Sequence, residues 1–352
     1  KITAWAGWHT IFKRLWEAFS LFLIVGFVLM LIVAIGIWAG WHHLYHWADE
    51  ASVAADAVLE QKSGFLNKGW YTFGGIIIMG LWILIATRIR RLSVDEDTNG
   101  DMNFTHAQKI RIWGAAALPV IGFSSAAMIW LWVMSVDAHW YSTLYAWLSS
   151  VSLMVSMIGL TIITLIALKI RGYFPLLTIE HLHDLGKYLF AFSILWTYMW
   201  FSQFMLIWYA NIPEETIYYH TRLNEYPVVF YLNIALNFAL PFLVLLRNDT
   251  KRKYGTLLFI SAVLVFSHWL DFFLMLKPGI LHTAHELAQH AEGAAAPHHG
   301  PTPGFTLPGF LEIGTFIGFL GLFFFFVFNR LEKASLLPRR DPYLMESVSH
   351  HV

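Results

Sequence analysis

The sequence predicts an all-α, polytopic membrane protein. Hydrophobic residues make up 57% of its 352 residues and charged residues only 13%, whereas soluble domains carry about 25% charged residues. Eight apolar segments each come close to, or exceed, the ~20 residues that cross a hydrocarbon core of ~30 Å. Lys and Arg gather on one side of these segments, as they do in membrane proteins.

The fifth apolar segment, 188–210, carries no formal charge. It follows a polar group that ends at Lys187 and stops before Asn211, and it contains Trp196, Trp200 and Trp208. Internal Pro and Gly do not exclude the other segments, because neighbouring helices can satisfy a freed carbonyl in lipid. The predicted spans are 16–41, 70–86, 112–135, 145–168, 188–210, 228–246, 257–276 and 310–328.

The basic residues predict the orientation of the chain. Eight spans place nineteen of the 23 Lys and Arg residues on the side of the N terminus. Only Lys62, Lys68, Arg222 and Lys277 fall on the other side. The positive-inside rule therefore predicts that both termini are cytoplasmic, and an odd number of spans would destroy this partition.

The predicted outer loops are aromatic and rich in His. Interfacial aromatic residues account for most of this pattern, although a docking surface for partner subunits also fits it. The segment 281–308 is rich in His, Ala and Pro, which predicts a mobile outer loop with at most a weak signal for metal. Its histidines are His282, His285, His290, His298 and His299.

Polar residues inside the spans are the candidate functional residues, because each ionisable group costs about 2.5–3.5 kcal/mol to insert. His268 and Asp271 lie three apart on one helix face and could exchange a proton near neutral pH. Alternatively, Asp271 only marks the outer interface and orients His268. Asn233 and Asn237 share another face, where interhelical hydrogen bonding is the simpler role. The proton-path candidates are His183, Asp184, Lys187, Asn233, Asn237, His268, Asp271 and Glu312.

Several of these residues share a predicted depth near the outer side. A quinol site there would need a carboxylate or imidazole within about 2.6–3.2 Å of the quinol hydroxyl. Its candidate residues are Asp137, His139, Gln203, His268 and Asp271. On the cytoplasmic side, the residues around His183 suit proton uptake, but a solvated helix start fits them equally well.

The composition also argues against resident redox centres. The chain contains no Cys, which excludes thiolate ligands for an iron–sulfur cluster. A membrane haem needs two deep axial His residues, and only His268 is deep enough, so neither haem nor another tightly held metal is predicted. The net charge of zero gives no reason to expect a nucleic-acid partner.

Four segments carry a resemblance to a known family. They are 181–185 (HLHDL), 196–215 (WTYMWFSQFMLIWYANIPEE), 135–144 (SVDAHWYSTL) and 62–67 (KSGFLN). They resemble the smaller of the two polysulfide-reductase-type (NrfD-like) membrane subunits of bacterial alternative complex III. The likeness extends over essentially the whole chain, and its most specific part is the long fifth-span motif.

The resemblance implies a subunit of a quinol:cytochrome c oxidoreductase, or of one that reduces another high-potential carrier, in the bacterial inner membrane. It implies four-helix bundles and a usual total of ten spans, so two helices would be missing before Lys1. Implied partners are a sister NrfD-like subunit, iron–sulfur and multihaem cytochrome c subunits on the outer face, and a terminal oxidase. The expected substrate is a quinol, and menaquinol is the first candidate among quinols. The haem c groups and iron–sulfur clusters are expected in the partner subunits.

The sequence thus favours a cofactor-free subunit that relays protons beside a sister subunit. A quinol-binding catalytic subunit with its own outer site is the main alternative. A secondary transporter is a further alternative, but Pro119 and Pro241 make a poor pair of broken helices for one. A purely structural anchor also remains open.

Overall fold

A computed structural model describes residues 2–292 and 307–351, and every regular element in these ranges is helical. Eight helical segments of the described chain are long and apolar enough to cross a membrane. The predicted all-α, polytopic membrane fold is therefore confirmed. The helices are α1 (Lys13–Ser20), α2 (Leu23–Ala39), α3 (Glu50–Ala55), α4 (Ala57–Lys62), α5 (Gly75–Asn99), α6 (Thr105–Trp132), α7 (Thr143–Ile170), α8 (Ile179–Ala210), α9 (Pro213–Glu225), α10 (Pro227–Ile234), α11 (Leu240–Leu245), α12 (Tyr254–Glu292), α13 (Phe310–Glu332) and α14 (Leu344–Val348).

Most of the helices are longer than the apolar segments that predict them. Helix α5 continues to Asn99 although its apolar segment ends at 86, and α8 begins at Ile179 although its segment begins at 188. Hydropathy marks only residues that suit hydrocarbon, whereas backbone hydrogen bonding continues through polar turns. The first predicted span, 16–41, differs from the structure in another way, because it is divided between two helices, α1 and α2.

The predicted outer loop 281–308 needs correction over its first part. Residues 281–292 are the last turns of α12, and 293–306 lie outside the described residues, as do His298 and His299. Helix formers such as Leu281, Ala284 and Glu286 extend the helix. Pro278 inside α12 does not end it.

Local sequence signals fix both ends of α8. Thr178 precedes the helix in extended conformation, and its backbone N–H and hydroxyl both contact Nδ1 of His181. Glu180 lies in the first turn, where a negative charge is favourable. Asn211 ends the helix in the left-handed region (φ 49°), and Pro213 then starts α9 at a position that needs no N–H donor.

Four spans form a closed four-helix bundle. Helix α7 packs on α8, α8 on α11, α10 on α12, and α12 back on α7. A π turn, Ala235–Ala239, joins α10 to α11 just before Pro241, a place where the regular helical hydrogen bonds are interrupted anyway. The remaining spans pack outside this bundle, with α5 against α2 and α6, and α13 against α1.

The two ends of the bundle differ. The terminal end is defined here by residues 2–12, 93–105 and 333–350, which are joined by contacts such as Gly7 N–H to Glu346 Oε1 at 3.0 Å. The loop end is defined by 41–69, 134–142 and α9, where Trp140 Nε1 donates to the Glu215 carbonyl at 3.2 Å. These names carry no assumption about the side of the membrane.

Candidate functional site

Asp271 lies at the centre of the four-helix bundle, with 2% of its surface exposed. Each of the other three spans supplies one donor to its carboxylate. The Ser152 hydroxyl of α7 donates to Oδ2 at 2.9 Å, and Trp196 Nε1 of α8 donates to the same oxygen at 3.0 Å. Asn233 Nδ2 of α10 donates to Oδ1 at 2.8 Å. The carboxylate therefore ties all four helices together.

The partners of Asp271 are all neutral. In the described part of the chain no cationic side chain pairs with this carboxylate. An unpaired charge in an apolar interior is expensive, whereas a protonated carboxyl needs only ordinary hydrogen bonds. Because the Ser152 hydroxyl can donate or accept, the site can accommodate both charge states.

His268 is buried next to this cluster but does not bind Asp271. Its ring packs edge-on against Trp196, with ring centroids 5.8 Å apart. Among the described residues, neither ring nitrogen has a hydrogen-bond partner. The Trp196 indole contacts both groups, and no hydrogen bond joins the imidazole to the carboxylate in the described chain. The geometry therefore gives no direct proton exchange between them.

Asn233 and Asn237 extend the cluster toward the terminal end. Asn237 Nδ2 donates to Asn233 Oδ1 at 2.5 Å, and Asn233 in turn donates to Asp271. Both side chains are buried. Interhelical hydrogen bonding thus joins α10 to α12, and the same amides form a polar line through the apolar core.

A second polar cluster lies at the terminal end of α8. Asp184 Oδ1 is 2.5 Å from Lys187 Nζ, and its Oδ2 is 2.9 Å from His350 Nε2. His183 is buried, and neither of its ring nitrogens has a hydrogen-bond partner in the described chain. Asp184 and Trp196 are separated by about 18 Å along the helix at 1.5 Å per residue. The clusters are therefore distinct.

The C-terminal segment covers this second cluster. Besides the contact of His350 with Asp184, the Ser347 carbonyl accepts a hydrogen bond from His181 Nε2 at 3.0 Å. The Ser347 hydroxyl donates to the Trp8 carbonyl at 2.6 Å. Helix α14 thus binds both α8 and the start of the chain.

Replacing His350 with alanine should expose Asp184 without unfolding the protein. The pair is partly exposed, so its loss should change the free energy of unfolding by no more than about 1 kcal/mol. Carbodiimide labelling of Asp184, followed by peptide mass spectrometry, should increase. His106→Ala is the matched control, because it removes a similar 2.9 Å pair with Asp95 on α5. Equal labelling of Asp184 in both variants would show that α14 does not shield it.

The loop end contains a cavity of about 610 Å³ between the 134–142 loop, α9 and α12. Asp137, His139, Tyr218, Arg222 and His282 are among its lining residues. Of the candidate quinol-site residues, only the first two line this cavity. The others, Gln203, His268 and Asp271, are buried elsewhere in the bundle.

Charged and aromatic contacts form the walls of this cavity. The Trp140 and Tyr218 rings stack with centroids 4.1 Å apart. Burial raises the pKa of Tyr218 to about 12, although the neighbouring Arg222 guanidinium opposes the increase. Burial alone would raise the pKa of Asp56, but its hydrogen bond with His139 and backbone N–H donors hold it below its usual value. Tyr218 is therefore a neutral phenol, and Asp56 an anion, at physiological pH.

Arg222 of α9 is buried, and its contacts explain why Pro278 is tolerated inside α12. Proline has no N–H and cannot bond to the carbonyl four residues before it, which here is that of Leu274. Arg222 Nε donates to this carbonyl at 3.1 Å, and an Nη2 N–H donates to the Met275 carbonyl at 3.0 Å. A third bond goes to the Tyr218 carbonyl. The guanidinium thus replaces the missing helical hydrogen bond.

Glu312 does not join the buried cluster. It lies in the first turn of α13, where it accepts from the Gly309 N–H and pairs with Lys277 Nζ at 2.8 Å. The predicted outer layer of polar residues therefore separates into the Asp271 cluster, the loop-end cavity and this pair.

Three contributors to the bundle centre and its loop end were not predicted from the sequence. Ser152 looks like one of many small residues in α7, and Trp196 like one of several interfacial tryptophans. Arg222 counted only as a basic residue on the outer side. Two features of the sequence could have indicated these residues. Ser149 and Ser152 lie three apart in an apolar span, and Pro278 leaves a helical carbonyl that needs a donor from elsewhere.

The fold defines a class of protein, an all-α, multi-pass membrane protein with a polar cluster buried in a four-helix bundle. In comparisons with known proteins, no family model matches the chain and no curated protein is significantly similar to it. In the described residues, no three His, Asp or Glu side chains are grouped so as to hold a metal ion.

Proposed function

We propose that this chain is an integral subunit of a quinol-oxidising respiratory complex in which Asp271 carries protons. The observation that supports the proposal most is the set of three neutral donors around this buried carboxylate, one from each neighbouring span. A purely structural contact between four helices could be made with neutral side chains. Inserting a titratable group into the membrane at this position costs free energy. A proton-carrying role explains why the chain has such a group there.

The polar line of Asn233 and Asn237 supports a path from Asp271 toward the terminal end. The Ser261 hydroxyl of α12 is also buried on that side, and it has no hydrogen-bond partner among the described residues. Beyond it, His183 and Asp184 would receive protons at the terminal end, which the bias of Lys and Arg predicts to be cytoplasmic. Water would have to bridge the roughly 18 Å between Asp184 and the level of Trp196.

The resemblance to the smaller NrfD-like subunit of alternative complex III supplies the proposed chemistry. Oxidation of a quinol releases two electrons and two protons. The electrons would pass to iron–sulfur clusters and c haems of partner subunits, and this chain would bind no redox cofactor tightly. Its proposed neighbours are a sister NrfD-like subunit in the bacterial inner membrane and, at a greater distance, a terminal oxidase.

Copurification tests this assignment. The chain should be extracted from its native membrane with a mild detergent through an affinity tag. Haem staining and iron analysis should then identify multihaem cytochrome c and iron–sulfur proteins in stoichiometric amounts, together with quinol:cytochrome c reductase activity. Isolation of the chain alone, or with partners that carry no redox centre, would contradict the proposal.

A specific observation also favours a second candidate function, a quinol-binding subunit. The loop-end cavity of about 610 Å³ lies in the 300–1,000 Å³ range of small-molecule sites. Asp137 and His139, which line it, offer a carboxylate and an imidazole as proton acceptors. Menaquinol is the first candidate among the quinols that could bind there.

A photoreactive menaquinone analogue distinguishes the two candidate functions. If the cavity binds quinol, the label should map to the peptide that contains 134–142 or to α9, and excess menaquinone should prevent the labelling. His139→Leu should weaken it, whereas His106→Leu, at the opposite end of the molecule, should not. Labelling confined to a sister subunit would leave this chain with the proton role only.

A further inference from the structure

A second cavity, of about 200 Å³, lies at the terminal end outside the four-helix bundle. The start of the chain, the end of α5, the start of α6 and residues 341–343 form its walls. It is separate from every residue of the proposed proton path. Its charged lining residues are Lys13, Glu17, Glu96, Arg111 and Asp341.

Glu96 gives this cavity a buried carboxylate that shares its neighbouring cation with a second acid. The residue is 2% exposed, and in the described chain its Oε1 has no hydrogen-bond partner, while its Oε2 has only the ion pair with Lys13. The nearest cation is Lys13, whose Nζ is 3.5 Å away and also pairs with Asp341. One ammonium group therefore faces two carboxylates. Glu17 adds no further unpaired charge, because Arg90 lies 3.2 Å from it.

Arg111 supplies a positive group to the same cavity. Its guanidinium lies over the Trp5 ring, with Cζ 4.0 Å from the ring centroid. Among the described residues it forms no ion pair with a carboxylate. The cavity therefore presents a cation near its rim, where Trp5 is 62% exposed, and an anion in its interior.

Two aromatic walls of the cavity are held in an unfavourable backbone conformation. Trp5 and Phe104 have φ values of 58° and 52°, a left-handed region that bulky residues rarely adopt. Such conformations persist where the surrounding structure enforces them, and they are frequent at ligand-binding positions. Here they orient two rings around the charged groups.

The position of the cavity indicates what could reach it. Helix α5 ends and α6 begins beside it, so it lies where two spans leave the hydrocarbon core. Exposed Ile112, next to Arg111, continues the apolar surface of α6. A ligand that fits would combine an ammonium for Glu96, a phosphate for Arg111 and acyl chains along the span.

We propose that this cavity binds the headgroup of a phospholipid that carries a primary ammonium, such as phosphatidylethanolamine. The ammonium N–H groups would satisfy the Glu96 carboxylate, and the phosphate would pair with Arg111. A lipid with a quaternary ammonium has no N–H to donate, and an anionic lipid such as phosphatidylglycerol places no cation at Glu96. The site therefore selects for the ammonium group.

Native mass spectrometry of the full, delipidated chain in detergent tests the proposal. Phosphatidylethanolamine should bind about tenfold or more tightly than phosphatidylcholine or phosphatidylglycerol with the same acyl chains, as expected for hydrogen bonds to a charged group. Glu96→Gln should abolish this preference. Arg111→Gln should weaken the binding of all three lipids to a similar extent, because each lipid contains the phosphate. Asp95→Asn, which removes the adjacent acid outside the cavity, is the matched control.

Trp5→Ala provides a second test that does not alter a buried charge. This exposed ring can be removed without disturbing the Lys13–Glu96 pair, and phosphatidylethanolamine binding should weaken several-fold. Equal binding of the three lipids, or an unchanged preference in Glu96→Gln, would overturn the proposal. Displacement of the lipid by equimolar phosphoethanolamine would also overturn it, because the ligand would then be a soluble amine.

Discussion

Replacing Asp271 with asparagine should abolish the proton movement that this subunit contributes, while the complex still assembles. Asparagine has nearly the same shape but cannot carry a proton. It can still accept from Ser152 and Trp196, whereas the Asn233 amide would have to turn. The expected loss in the free energy of unfolding is at most about 3 kcal/mol. The purified complex, reconstituted in liposomes with a pH-sensitive dye, should translocate fewer protons per electron.

Infrared difference spectroscopy gives an independent measurement on the chain itself. A carboxyl C=O band that shifts in deuterium oxide should disappear in Asp271→Asn. Asp249→Asn is the control, since among the described residues this exposed carboxylate pairs only with Arg247, at 3.5 Å. An unchanged proton-to-electron ratio in a correctly assembled Asp271→Asn complex would contradict the relay, although the chain could still be a subunit of the complex.

Replacing Arg222 with methionine should cause the largest loss of stability. It leaves the buried carbonyl of Leu274 without a donor and removes the Arg222 bond from the Met275 carbonyl, at about 1–3 kcal/mol for each group. The free energy of unfolding should therefore fall by about 2–4 kcal/mol, as measured by steric trapping or by thermal melting in one detergent. Arg247→Met, on a side chain that is 75% exposed, should change stability by less than about 0.5 kcal/mol.

A double-mutant cycle tests the mechanism behind this loss. Pro278→Ala restores an N–H that can bond to the Leu274 carbonyl within α12. Arg222→Met should therefore cost less in the Pro278→Ala background, by about 1 kcal/mol or more. Strict additivity of the two changes would mean that Arg222 stabilises the protein by another route.

The sequence predicted the number of spans correctly because membrane insertion depends on local composition. Each span must satisfy its own backbone and present apolar side chains to lipid, so its signal lies in consecutive residues. The predicted first and last residues of the spans were less accurate. Helix α12 continues to Glu292, since hydrogen bonding along a helix does not stop where hydropathy falls.

The candidate site was predictable only in part. Asp271 and Asn233 stood out because polar residues in lipid are costly, and the structure brings them together at 2.8 Å. Their partner Ser152 has no such signal in the sequence. The predicted His268–Asp271 pair does not form a hydrogen bond, because spacing along a helix assigns a face but not the direction of each side chain.

The sequence by itself therefore determined that the described chain has eight helices that can cross a membrane, with a few expensive polar groups inside them. Only the tertiary structure decided which of those groups meet. Asp271 receives one donor from each of three other helices, the nearest of which is 38 residues away in the chain. Such contacts depend on helix rotation and packing, which are properties of the assembled bundle and of no single segment.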